Sequence, residues 1–245
     1  MSFNYIYLLF SLLFVSCASN AQNEGLKITY KKKIISSLDG KKGKALKKEN
    51  PKLFEEYYAI EKKRKEAAKR LKYKLLITNQ SALFEVEEIL KRDGRNIAAF
   101  GPFKGNYYTN LNTEENYWQV DAFGRDFLVD FGKRGWKLKE EKKEILGYIC
   151  KKAVGSWTVN NDNNKSYLKV EAWYAPEIPL NFGPLGFNGL PGLILEISTV
   201  NERYYATRIK KSKNLNIEKP VKGQKISFDD FNAMAKGAMQ NAKQN

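Results

Sequence analysis

The chain has 245 residues, and 43 Lys and Arg against 27 Asp and Glu give it a formal net charge of +16 at neutral pH. It contains two Cys and no His. Without His, a Ser-His-Asp or Cys-His catalytic site is excluded, as is any zinc site that needs imidazole.

The N-terminus has the pattern of a secretory signal peptide. Residues 1–21 carry no charged side chain, and residues 5–15 form an apolar run that is broken once. Small residues follow as far as Ala21, so we expect cleavage before Gln22. The run is shorter than the about 20 residues of a membrane-spanning helix. We therefore expect export to the periplasm or cell envelope, or secretion, with no transmembrane segment in the mature chain.

Cys17 offers a second way of processing this N-terminus, in which a lipid is attached to it. Phe14 stands where a lipobox usually has Leu, so we rank lipid anchoring at Cys17 second. In a chain cleaved after Ala21, Cys150 has no partner for an intramolecular disulfide. It lies in an apolar stretch, and we expect it to be a small buried hydrophobe.

The basic character is concentrated early in the mature chain. Residues 31–74 hold 17 Lys or Arg and 6 Asp or Glu. A half-buried strand is predicted over 26–31, and the sequence of 39–43 is typical of a loop. Asn50 followed by Pro is a good helix start, and the pattern predicts a helix near 51–72. Its apolar stripe contains Leu53, Tyr57, Ile60, Ala67 and Leu71.

Most of the remaining chain has the pattern of strands. Short aromatic or β-branched runs recur at about ten-residue intervals, which is typical of antiparallel meanders. Ser227 and Asp230 form a capping box, and a C-terminal helix is predicted near 228–242. We expect one α+β domain over 22–245, built on a predominantly antiparallel and strongly curved sheet. Such a sheet is a half-open barrel, on which the two helices pack.

One segment carries a family resemblance. Residues 171–197 contain the string GLPGLI at 189–194, and the segments at 145–153 and 172–174 fit the same pattern. The chain resembles the GLPGLI family of exported bacterial proteins. That family has no established activity, so the resemblance implies export and no particular reaction.

The Gly- and Pro-rich loop over residues 176–192 admits two interpretations. It is either a rigid crossover packed over one end of the sheet or a lip over a ligand pocket. Under the second interpretation the chain is a non-catalytic protein that binds an envelope ligand or protein partner through the sheet face and this loop. The candidate binding residues are Trp173, Tyr174, Phe182, Phe187, Gly189, Leu190, Pro191 and Gly192.

Two other functions stay open. Carboxylates could hydrolyse envelope or glycan polymers, from a set containing Asp130, Glu171, Glu177 and Glu196. Alternatively, residues 31–74 could adhere to an anionic surface, either lipid phosphate or acidic glycan. The candidates for that contact are Lys62, Lys63, Arg64 and Lys65. No motif predicts a metal site or a cofactor, and we expect no nucleic-acid partner.

Overall fold

The structure is a computed structural model that describes residues 24–87, 105–132, 135–161 and 164–244. The predicted signal peptide and the alternative lipidation at Cys17 lie outside the described residues.

Three helices and twelve strands are formed by the described residues. The helices are α1 (Lys41–Glu49), α2 (Pro51–Arg70) and α3 (Phe228–Gln244). The strands are β1 (Gly25–Ile34), β2 (Lys72–Ile77), β3 (Ser81–Glu87), β4 (Asn106–Asn110), β5 (Glu115–Ala122), β6 (Arg125–Asp130), β7 (Trp136–Ile145), β8 (Tyr148–Asn161), β9 (Asn164–Ala175), β10 (Leu193–Ser198), β11 (Glu202–Ser212) and β12 (Gln224–Ser227).

All the strands belong to one mixed sheet with the order β12-β6-β5-β4-β3-β2-β1-β11-β10-β9-β8-β7. The pairs are antiparallel except for β12 and β6, which are parallel. The parallel pair was not predicted, because a strand of four residues after a long connection leaves little pattern to read. Strand β7 ends the sheet on one side and β12 on the other, so the sheet is unclosed. The prediction of an α+β fold dominated by its sheet is confirmed.

The sheet is curved, and the position of α3 shows why it must be. This helix follows β12 at one edge, yet it also contacts β8 near the opposite edge. In a flat sheet the ten steps between these strands would span about 48 Å, at about 4.8 Å a step. A helix of 17 residues is only about 26 Å long. The two ends of the sheet therefore curl toward α3.

The inner face of the sheet, which we define by Tyr30, Phe84 and Tyr204, is packed with aromatic rings. The ring centroid of Phe84 lies 6.0 Å from that of Tyr30 and 5.9 Å from that of Tyr204. The hydroxyl of Tyr30 donates a hydrogen bond of 2.6 Å to the carbonyl of Ile194, two strands away. Burial of these rings supplies much of the apolar area that stabilises the fold.

The segment before α2 differs from the prediction. Residues 39–43 were expected to be a loop, but α1 begins at Lys41 and includes Gly43. A Cβ atom at Gly43 would overlap the backbone of Leu38, so the glycine allows this helix to start against the preceding turn. Gly43 was thus read as a sign of a loop, but a glycine is needed there because the helix backbone approaches Leu38 closely.

Helix α2 begins where it was predicted to begin, because the side chain of Asn50 accepts a hydrogen bond from the N–H of Leu53 at 3.0 Å. It packs against the C-terminal end of β1 through its second half, where Ala68 is buried. The C-terminal helix is also confirmed, since the Ser227 hydroxyl accepts from the N–H of Asp230 at 3.1 Å.

Candidate functional site

The loop over residues 176–192 lies inside the curve of the sheet. Its short 3₁₀ turn, Pro184–Gly186, contacts β3, β4 and β5. Phe182 accepts a hydrogen bond of 2.9 Å from the N–H of Ile194 in β10. The loop therefore bridges two distant parts of the sheet, as a rigid crossover would. Its role as a ligand contact stays a prediction.

The predicted binding residues of this loop fall into two groups. Phe182, Phe187 and Leu190 are fully buried, and Tyr174 joins them on the inner face. Gly189 and Pro191 are exposed, whereas Gly192 is buried against the backbone of Ala175, where a Cβ atom would not fit. The apolar anchors are thus part of the core, while the loop meets solvent at Glu177, Pro179 and Asn181 as well as at Gly189 and Pro191.

Trp173 lies on the outer face of β9, apart from these residues. The Lys143 ammonium lies 4.3 Å from its ring centroid, and the indole N–H donates to the Glu171 carboxylate at 3.2 Å. Glu171 also pairs with Lys152 at 2.8 Å, and Glu196 pairs with Lys143 at 2.9 Å. The cations around Trp173 are therefore matched by carboxylates, and we call these residues the Trp173 cluster.

Of the carboxylates proposed for hydrolysis, Glu171 and Glu196 lie together in the Trp173 cluster on the paired strands β9 and β10, and Asp130 lies apart from them. Asp130 belongs to β6, far along the strand order from Glu171 and Glu196. Burial alone would raise the pKa of Glu171, but hydrogen bonds from Lys152 and Trp173 outweigh burial and hold this pKa below its usual value. A general acid needs the opposite shift.

Burial raises the pKa of the Cys150 thiol to about 11, so this buried cysteine also lacks the thiolate of a nucleophile.

A groove between α2 and the C-terminal half of β1 combines charge, aromatic rings and open volume. Its volume is about 480 Å³, which is within the range of small-ligand sites. Its lining residues are Lys31, Lys32, Lys33, Ile34, Tyr58, Glu61, Lys62, Lys65, Glu66, Ala68, Lys69 and Tyr205. We call this feature the basic groove.

Three of the six lysines in the basic groove have a carboxylate partner. Lys65 pairs with Glu61 at 2.7 Å, and Lys69 pairs with Glu66 at 2.6 Å. The third, Lys32, pairs with Glu202 at 3.4 Å. Within the described part of the chain, the other three form no ion pair. These free cations are Lys31, Lys33 and Lys62.

A buried ionic network lies beneath the basic groove. Glu202 is almost completely buried, and it accepts hydrogen bonds from Lys32 at 3.4 Å, from Arg64 at 3.3 Å and from the Tyr204 hydroxyl at 3.2 Å. The Lys32 ammonium also lies 5.9 Å from the ring centroid of Tyr73. Burial lowers the pKa of Lys32, against the opposing effect of Glu202. The network fixes α2 to the start of β11.

Glu61 makes a second attachment between α2 and the chain that follows β1. Its carboxylate accepts from the backbone N–H of Ser37 at 3.2 Å and pairs with Lys65. Burial alone would raise the pKa of Glu61, but hydrogen bonds from Lys65, Ser36 and Ser37 hold it below its usual value. One wall of the groove is thereby held in position.

The predicted anionic-surface residues are divided by this geometry. Lys62 and Lys65 line the basic groove, Arg64 reaches the buried network, and Lys63 lies on a different side of α2. Sequence reasoning did not single out Lys31 and Lys33. Their alternation along β1 put both on one strand face, but no sequence pattern shows that α2 packs there.

The described residues contain neither a helix suited to crossing a membrane nor a cluster of metal ligands. None of the helices there combines the length and the apolar character that a membrane-crossing helix needs. Within those same ranges, no group of three or more Asp, Glu, Cys or His side chains is arranged to hold a metal ion.

Comparison with known proteins gives a family match over part of the chain. A family described as a protein of unknown function, Porph_ging, matches residues 158–196, which include the GLPGLI string. No curated protein matches the chain. Crystal structures of PNGF-II in space groups C2 and P21 align with 86% and 87% of this chain, at 18% identity and TM-scores of 0.49 and 0.48. The chain spans only 32% and 33% of the length of those two PNGF-II chains.

Proposed function

We propose that this chain is an exported envelope protein that binds an anionic ligand in the basic groove and performs no bond chemistry on it. The proposal includes membership of the GLPGLI family and a half-open barrel as the scaffold. The observation that carries it is the presence of three unpaired lysines in one groove of ligand size.

The charge of the groove selects the kind of ligand. Six lysines and two glutamates line it, so an anion gains favourable interactions there, while a cation is repelled. Tyr58 and Tyr205 add ring surfaces beside Lys31 and Lys62, and rings of this type stack on sugars or apolar groups. A phosphate or carboxylate attached to a larger envelope molecule fits this combination.

Binding can be measured with soluble probes that carry the two anionic groups. We would titrate the purified protein with short-chain polyphosphate and with an oligogalacturonate, using neutral maltotriose as the uncharged comparison. We expect at least one acidic probe to bind, with an affinity that falls as salt is added. Equal binding of maltotriose, or no binding of either acidic probe at low salt, would contradict the proposal.

A triple substitution tests whether the free lysines are responsible. If each lysine contributes about 1 kcal/mol toward an anion, Lys31→Ala, Lys33→Ala and Lys62→Ala together should weaken binding about 100-fold. The matched control replaces Lys41, Lys42 and Lys44 of α1, which removes the same charge outside the groove. If both triple variants lose affinity equally, net charge alone explains the binding and the groove is not the site.

Export is a separate part of the proposal and has its own test. The apolar run over residues 5–15 and the small residues before Gln22 support it. Mass spectrometry of the protein recovered from the envelope should find Gln22 at the N-terminus. A lipid on Cys17 would replace cleavage by anchoring, whereas an intact N-terminus in the cytosolic fraction would contradict export.

A further inference from the structure

The first half of α2 has no buried residue and leaves an apolar stripe uncovered. Tyr57 is 51% exposed and Ile60 is 55% exposed, although both lie on the predicted apolar stripe of this helix. Farther along the same stripe, Leu71 is only 3% exposed, because it reaches the core. The stripe, which Arg64 interrupts, is therefore covered only at its C-terminal end.

Unpaired positive charge borders this uncovered stripe. Helix α1 packs beside α2 and contains five lysines and one glutamate, and all five lysines are exposed. Within the described part of the chain, none of these five lysines forms an ion pair. The Lys47 ammonium lies 5.3 Å from the ring centroid of Phe54, which is one helical turn from Tyr57. Apolar and cationic groups thus share one surface.

We infer that the hairpin formed by α1 and α2 docks on an anionic lipid bilayer. The side chains of Tyr57 and Ile60 enter the headgroup region, and the lysines of α1 contact the lipid phosphates. Tyrosine suits this boundary because its ring is apolar and its hydroxyl stays hydrated. The pairing of a short apolar stripe with a basic flank is the composition of helices that lie in a membrane interface.

A bilayer fits these observations better than another macromolecule does. A polyanion such as a glycan would use the lysines and could stack on the ring of Tyr57, but it would leave the exposed aliphatic side chain of Ile60 without a role. A specific protein interface usually buries more than about 1,000 Å², and two or three exposed apolar side chains on one helix offer much less. An anionic membrane accounts for both halves of the surface, because its phosphates complement the lysines and its headgroup region takes up the apolar side chains.

Vesicle co-sedimentation tests the inference directly. We would compare phosphatidylcholine vesicles with vesicles that contain roughly one third phosphatidylglycerol. The protein should bind the anionic vesicles and release from them as salt rises, and it should bind the neutral vesicles at least about tenfold more weakly. Equal binding to the two kinds of vesicle, or binding to neither, would overturn the inference.

Substitutions separate the apolar contact from general charge. The variant with Tyr57→Ser and Ile60→Ser keeps every charge, and it should bind anionic vesicles at least about tenfold more weakly than the wild type. The matched control is Val200→Ser with Val221→Ser, which removes two side chains that are 62% and 83% exposed outside the hairpin. An equal loss in both variants, or no loss in the first, would refute docking through α2.

A spectroscopic reporter and two cross-tests complete the experiment. In a Tyr57→Trp variant, tryptophan emission should shift to shorter wavelength with anionic vesicles, whereas no shift in a variant that binds would place the contact elsewhere.

The Tyr57→Ser and Ile60→Ser variant should still bind the soluble acidic probe. The variant without Lys31, Lys33 and Lys62 should still bind vesicles within a few-fold of the wild type. Docking and groove binding can therefore fail independently.

Discussion

The Trp173 cluster and the basic groove both contain several lysines, but they differ in whether carboxylates pair with those lysines. In the Trp173 cluster, Lys143 pairs with Glu196 and Lys152 pairs with Glu171. In the basic groove, three lysines form no ion pair within the described residues. The first surface satisfies its own charges, while the second leaves favourable interactions for a partner.

Because of this difference, lysine density alone does not lead us to propose a binding surface. Lys143 also lies over the ring of Trp173, so its charge is used twice within the fold. Lys31 and Lys33 line the basic groove together with α2, whose Glu61 and Glu66 already pair with other lysines. Unpaired charge next to open volume is the informative combination, and it can be tested by adding or removing single carboxylates.

The largest effect is expected from Glu202→Gln, beneath the basic groove. This change removes the carboxylate that compensates Lys32 in a nearly dry environment, and we expect a loss of about 3–5 kcal/mol in the free energy of unfolding. Urea denaturation measures it. Glu171→Gln is the control in the Trp173 cluster, where exposure screens the pair and the loss should be under about 1 kcal/mol.

The destabilisation caused by Glu202→Gln should depend on pH, in a direction that the pKa of Lys32 determines. Burial already lowers the pKa of Lys32, and removal of Glu202 lowers this pKa further. As the pH rises toward the ordinary lysine pKa of 10.5, Lys32 in the variant loses its proton and the buried charge disappears. The destabilisation of Glu202→Gln should therefore shrink in alkaline solution, and a constant difference would show that lost packing is the cause.

A charge reversal at Lys62 should give the unpaired lysines of the basic groove a carboxylate partner. In the Lys62→Glu variant, the new carboxylate competes with an anionic ligand for the remaining lysines. We expect binding of the acidic probe to weaken by about 30-fold, from about 2 kcal/mol of lost interaction. Lys63→Glu changes the charge identically at the next position, outside the groove lining, and should cost only a few-fold. Equal losses would mean that the groove does not concentrate the effect.

The local features of the fold could be predicted from the sequence because neighbours decide them. Asn50 with Pro51 set the start of α2, and Ser227 with Asp230 set the start of α3. Strand pairing depends on distant partners, so the position of β1 between β2 and β11 could not be foreseen. The same limit hid α1, whose Gly43 suggests a loop until its contact with Leu38 is known.

The candidate site was predictable only in part, for the same reason. The composition indicated residues 31–74, with Lys62 and Lys65 among them, because a basic helix can be recognised from the sequence alone. The contribution of Lys31 and Lys33 depends on which strand receives α2, which is a tertiary fact. Conversely, the burial of Phe182 could not be foreseen, because apolar residues in a Gly- and Pro-rich loop have no evident core to enter until the sheet curves around them.

A smaller effect is expected where Glu61 holds α2 to the chain after β1. Glu61→Gln weakens the bonds from Ser37 and Lys65, and we expect a loss of about 1–2 kcal/mol near neutral pH. Because the pKa of Glu61 is lowered in the folded state, this stabilisation is present above the ordinary glutamate value of 4.5 and disappears as the pH falls through the folded pKa. Acid titration of both proteins should show the difference closing. Glu66→Gln, at an exposed pair, should show no resolvable difference at any pH.

The smallest effect is expected at the start of α1, where the helix lacks a side-chain cap. Helix α1 starts at Gly40 without a side-chain cap, and Lys41 and Lys42 occupy a first turn where the helix dipole disfavours cations. Gly40 has an extended backbone and open space at its Cβ position, so Gly40→Ser can supply the missing cap without a clash. It should slow amide hydrogen exchange in α1 about twofold, from a few tenths of a kcal/mol. Gly40→Ala has no oxygen and should not slow exchange by this route. If both variants protect α1 equally, reduced backbone freedom explains the gain, and the uncapped start of this basic helix is not what limits its stability.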